Sequence, residues 1–62
     1  MIEPKYIALR GGEYELFRGY YGRIRPTWRV KFRGDAIDEN NGFASSERMA
    51  RAMVARHKLA RG

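Results

Sequence analysis

Residues Trp28-Arg29-Val30-Lys31-Phe32-Arg33 alternate without a break between a bulky apolar side chain and a cation. Successive side chains of a strand point to opposite faces. The period of two therefore predicts a strand with Trp28, Val30 and Phe32 toward a core and Arg29, Lys31 and Arg33 in a cationic row on the other face. An alternating strand always has a wet face, where Lys and Arg also serve solvation and edge protection. Here the row has company, because Arg18, Arg23 and Arg25 lie just upstream. Arg18, Arg23, Arg25, Arg29, Lys31 and Arg33 form the candidate nucleic-acid-binding set.

Working outward, Lys5 to Arg10 and Glu13 to Arg18 are β-prone runs separated by Gly11-Gly12. Both glycines can adopt positive φ, so a hairpin is expected. Gly19 and Gly22 flank Tyr20-Tyr21, which predicts a bulge or bend before a further strand near Arg23 to Arg25, with Pro26-Thr27 turning the chain into the alternating run. Gly34-Asp35 ends that run. Ala36 to Gly42 is polar, with the turn signal Asn40-Asn41-Gly42, and offers only a poor strand between Asp35 and Gly42.

From Ser45 or Ser46 the period changes to 3.6. Met49, Ala50, Met53, Val54, His57 and Ala60 share one face of an amphipathic helix that Ser45 or Ser46 caps and Gly62 stops. The stripe of Ala and Met lets the helix approach the sheet closely. The expected architecture is one α+β domain over residues 1–62, made of an N-terminal hairpin (1–19), a sheet (20–44) and a helix (45–61). It is a three- to four-stranded antiparallel sheet with one C-terminal α-helix packed on one face.

Thirteen Lys and Arg against seven Asp and Glu give a formal net charge of +6, a balance that favours a polyanionic partner. Nucleic acid ranks ahead of an anionic membrane surface, since no apolar stretch approaches the roughly 20 residues of a spanning helix. Met1-Ile2-Glu3-Pro4 lacks the cationic start and apolar run of a signal peptide, so the expected location is cytoplasmic, and nucleoid-associated if DNA is the ligand. The chain has no cysteine, which excludes disulfides and thiolate metal sites.

Catalytic chemistry finds little footing. His57 is the only histidine and lies on the apolar helix stripe, so it reads as a core-edge residue. Asp35, Asp38 and Glu39 lack the regular ligand ladder of a calcium loop and read as solvated. No enzyme activity, cofactor or metal site is expected. Tyr6, Tyr14, Tyr20 and Tyr21 could stack on unpaired bases. With Phe17, Trp28, Phe32 and Phe43 assigned to the core, few of these tyrosines are left for such contacts.

Gly42-Phe43-Ala44-Ser45-Ser46-Glu47-Arg48-Met49-Ala50-Arg51-Ala52-Met53 resembles the strand-to-helix junction of the apetala-type, or integrase-type (arm-binding), DNA-binding domains. Tyr20-Tyr21-Gly22-Arg23-Ile24-Arg25 and the alternating run are similar to that family's first and second strands, which carry Arg and Trp into the major groove. The likeness runs over residues 20–60. It departs where Asp35 to Asn41 replaces the third strand and where an extra hairpin precedes the match. The second half of the chain is also similar to the latter half of double-stranded-RNA-binding domains. Their N-terminal helix has no counterpart here, and their basic helix start is replaced by Glu47-Arg48.

The resemblance implies a small binder of duplex DNA with its sheet along the major groove. Arg29 and Arg33 would then reach base edges and Arg23, Arg25 and Lys31 phosphates, with Arg18 at the margin. Two other readings compete with it. One is a small adaptor or inhibitor, of the kind phages and mobile elements carry, whose basic face docks on an acidic protein. The other is a double-stranded RNA binder.

Overall fold

In the computed structural model, which describes residues 4–22 and 24–62, the alternating run becomes the central strand of an antiparallel sheet. The elements are β1 (Lys5–Ala8), β2 (Tyr14–Gly19), β3 (Thr27–Phe32), β4 (Asp35–Ala36), a 3-10 turn (Glu39–Gly42), β5 (Phe43–Ala44) and α1 (Glu47–Arg61). The order is β1-β2-β3, with β4 and β5 sharing the far edge of β3. β4 pairs with the end of β3 and β5 with its beginning, so one interrupted strand fills the fourth position. The antiparallel sheet and its single C-terminal helix are the expected α+β architecture.

The hairpin between β1 and β2 forms as its glycines require. Gly11 and Gly12 have φ of +96° and +76°, and Leu9 N–H donates to the Tyr14 carbonyl at 3.0 Å. This turn sets the register Tyr6↔Phe17 and Ile7↔Leu16, and β2 in turn pairs Leu16↔Val30 and Phe17↔Arg29. Alternation then sends Tyr14, Leu16, Trp28 and Val30 to one face, where they are buried together with Ile37, Ala44, Ala50, Met53 and Val54. Ser46 caps α1, its hydroxyl accepting from Met49 N–H at 3.1 Å. The buried stripe of the helix is narrower than its periodicity predicts, because Met49 and Ala60 are exposed.

Gly42 fixes the return from the helix side to the sheet edge. Its φ is +81°, and a Cβ there would lie 2.8 Å from the Val30 carbonyl oxygen, so no other residue fits without a backbone shift. Asn40 and Asn41 also hold positive φ, and Asn40 Nδ2 donates to the Phe43 carbonyl at 2.9 Å. These contacts seat Phe43 opposite Arg29 and Ala44 opposite Trp28.

Two local expectations change. Residues 20–26 connect β2 to β3, and the described part of this stretch holds no strand. Arg23 lies outside the described residues. The region between Asp35 and Gly42 is neither a full strand nor plain loop. It is a short strand, after which Ile37, its N–H still bonded to the Val30 carbonyl at 3.3 Å, enters the core before the turn at Glu39–Gly42.

Candidate nucleic-acid interface

The face of the sheet away from α1 carries Tyr6 and Ala8 from β1, Glu15 and Phe17 from β2, Arg29 and Lys31 from β3, and Phe43 from β5. Arg29 and Lys31 thus fall on this open face as the alternation requires. Their partners are rings. The Arg29 guanidinium lies 4.8 Å from the Phe43 centroid and the Lys31 ammonium 5.2 Å from that of Phe17, both within cation–π range. Arg29 Nε is buried with no hydrogen-bond partner among the described residues, consistent with a guanidinium laid against the sheet.

Arg33 does not extend the row. β3 ends at Phe32, and Arg33-Gly34 form the two-residue turn to β4 with φ of +50° and +87°, the positive pair that a type I′ hairpin demands. From this corner Arg33 donates to Glu13 Oε1 at 2.8 Å, and its guanidinium lies 5.0 Å from the Phe32 centroid. Arg33 therefore does not point the same way as Arg29. Arg18 is also displaced, since it faces the helix side opposite Trp28, with its guanidinium 5.8 Å from that ring. Arg25 is exposed in the β2–β3 connection, and its carbonyl accepts from the Thr27 hydroxyl at 3.2 Å. Of the six predicted contacts, the structure brings together Arg29 and Lys31 on the open face, places Arg25 in the adjoining loop, Arg18 on the helix side and Arg33 in the β3–β4 turn, and leaves Arg23 outside the described residues.

What the sequence reading missed is the aromatic content of this face. Phe17 and Phe43 were assigned to the core, but neither belongs to it; both stand half-buried on the open side. Tyr6 packs on Phe17 with centroids 5.0 Å apart, and Tyr21 meets Phe43 edge-on at 6.2 Å. A Cβ at Gly19 would lie in ordinary contact with the Tyr21 ring, 3.5 Å away. A signal was present in the adjacent apolar pairs Leu16-Phe17 and Phe43-Ala44. In a strand, one member of such a pair must face away from the core.

Glu15 is the carboxylate of the open face, and its Oε2 accepts from the Tyr6 hydroxyl at 2.6 Å. This bond holds the Tyr6 phenol above its ordinary pKa. Partial burial raises that of Tyr21.

The other side behaves differently. Arg33 and Arg61 both bind Glu13, Arg51 binds Glu47, and Arg56 grips Glu39 through two nitrogens. The Arg33 hydrogen bond holds the Glu13 carboxyl below the usual carboxylate range, and Arg56 does the same to Glu39. His57 sits at the core edge, its Nδ1 2.6 Å from the Tyr14 hydroxyl and its ring against Phe32. Beside it runs an open groove of about 410 Å³ lined by Ile37, Asp38, Glu39, Arg56, Ala60 and Arg61.

Among the described residues no cluster of three or more His, Cys, Asp or Glu could hold a metal ion, and no helix is long and apolar enough to cross a membrane. No protein-family model matches the chain, and no curated protein or solved structure does either.

Proposed function

We propose that this protein binds nucleic acid with the open face of its sheet and the adjoining β2–β3 connection. The observation that carries this reading is the different partnering of its cations. Arg29 and Lys31 rest on rings and form no ion pair among the described residues, whereas Arg33 and Arg61, which also lie over Phe32, and Arg51 and Arg56, all off this face, are neutralised by carboxylates; Lys58 on the helix side rests on Tyr14. A cation on a ring keeps its charge available to a phosphate, whereas a cation in an ion pair would have to exchange one anion for another. The net charge of +6 supplies the long-range attraction.

Arg29, Lys31 and Arg25 can follow a backbone along the face. With Arg33 in the turn, the base-edge readout expected of Arg29 and Arg33 is reduced to Arg29, so phosphate and ring contacts carry most of the affinity.

Binding of fluorescent oligonucleotides at stepped salt concentrations tests this reading. About three neutralised phosphates give a log-log salt slope of about −3 on a duplex or about −2 on a single strand. Failure to bind either form at low salt would refute the reading and leave the face to an acidic protein partner.

A further inference from the structure

The register places Tyr6, Phe17, Arg29 and Phe43 in one line across β1, β2, β3 and β5. Tyr6 meets Phe17 at 5.0 Å and the Arg29 guanidinium lies over Phe43 at 4.8 Å, so the line joins two pairs on neighbouring strands about 4.8 Å apart, one of ring on ring and one of guanidinium on ring. Tyr21 extends it beyond Phe43, and the Lys31 ammonium lies over the Phe17 ring. Tyr6 and Tyr21 are 54% and 43% exposed, and none of the four rings belongs to the core cluster.

A duplex offers such a strip little. Its bases are stacked on one another and present only their edges, which projecting donors must reach. Here Arg29 lies against Phe43, Lys31 sits over Phe17, and Arg33 is held by Glu13 in the turn. An unpaired base presents a flat face of the kind these rings can stack on, and its phosphates run where the two cations lie. Glu15, beside Phe17 and bonded to Tyr6, would repel a phosphate placed directly above it, but it suits the amino groups that unpaired bases expose.

Resting on the nucleic-acid reading above, we propose that the strip Tyr6, Phe17, Arg29 and Phe43 is a stacking platform and that the ligand is a single strand. It holds about two to three bases, the number that a four-stranded aromatic sheet accommodates. Stacking and phosphate contact do not involve the sugar, so DNA and RNA strands bind alike.

The test compares labelled oligodeoxythymidylate, oligouridylate and a mixed-sequence DNA duplex of equal length at one salt concentration. Both single strands are expected to bind about tenfold or more tightly than the duplex. Phe17→Leu lowers single-strand affinity about tenfold with no change in salt slope, and Phe17→Tyr retains it. Lys31→Ala instead flattens the slope by about 0.7. Circular dichroism checks the fold of each variant; should Phe17→Leu unfold, Tyr6→Leu, at the exposed end of the strip, replaces it with the same expectation. Two outcomes overturn the platform while leaving the nucleic-acid reading intact: a duplex that binds as tightly as the strands, or loss of the ring with no loss of single-strand affinity. Failure of all three probes to bind at low salt overturns both.

Discussion

The two faces of β3 use the same residue classes to opposite ends. On the helix side, Trp28 and Val30 are buried and Phe32 packs at the margin of the core, where Arg33 and Arg61 close the end by pairing with Glu13. On the open side, rings stand at the surface and cations lie on them. An aromatic in the first setting holds the fold together, and in the second it presents a surface. Arg33 and Arg61 also lie over the Phe32 ring but are tied to Glu13, whereas Arg29 and Lys31 lie on rings with no ion pair among the described residues and stay available to an anion. Neither role follows from residue type alone.

The largest expected difference between the faces is in stability. Trp28→Ala should cost about 3–5 kcal/mol in urea unfolding, a large part of what so small a domain has. Phe17→Ala should cost about 1 kcal/mol, because its ring is half-exposed and its cross-strand contact with Tyr6 is replaced partly by water. Equal losses would mean that the open-face rings are a second core, and the contrast would break.

Gly42→Ala probes how the fourth strand is seated. Positive φ and a Cβ 2.8 Å from the Val30 carbonyl oxygen predict a loss of about 1–3 kcal/mol, read as a lower melting temperature. A variant as stable as the parent would show that β5 can approach β3 another way, and the position of Phe43 beside Arg29 would have to be redrawn.

Binding sharpens the contrast among cations. Arg29→Ala should weaken nucleic-acid binding about tenfold, the loss of one charge-assisted contact. Arg56→Ala, whose guanidinium is already committed to Glu39, should leave it nearly unchanged. Equal effects would mean that affinity comes from overall charge and not from the face.

The smallest effect is in acid. Glu13 and Glu39 titrate below the ordinary value of 4.5 in the folded chain because Arg33 and Arg56 hydrogen-bond their ionised forms. A depressed folded pKa stabilises in full above the unfolded value and is lost as the pH falls through the folded one. Melting temperatures of the parent should therefore decline as the pH drops below about 4.5, and Glu39→Gln should shallow that decline slightly. A variant whose acid profile overlays the parent's would show that the Arg56 pair contributes nothing on the helix side.

The local elements are legible in the chain. Gly11-Gly12 between two β-prone runs forms a hairpin, and the cap at Ser46 starts a helix whose stripe of Ala50, Met53 and Val54 is buried. The candidate site was only partly legible. Parity put Arg29 and Lys31 on the open face, but extending the same count to Arg33 failed because a two-residue turn begins there. For Arg18 no face was predicted, and parity along β2 places it with Tyr14 and Leu16 on the helix side. The aromatics were misassigned. In sequence terms so small a core calls for Phe17 and Phe43, whereas their neighbours Leu16 and Ala44 are the buried ones.

The periodicities, the turns and the excess of cations are properties of the chain alone, because they depend on backbone stereochemistry and composition within a few residues. Which apolar neighbour faces the helix, and which carboxylate neutralises which arginine, is set when the elements pack together. Ala44 pairs with Trp28, and both are buried in the core under α1, so alternation along β5 sends Phe43 to the open face. Glu13 reaches Arg33 and Arg61 only after hairpin and helix meet at one end of the sheet. Pairings across 20 and 48 residues are set by packing, which no local pattern encodes.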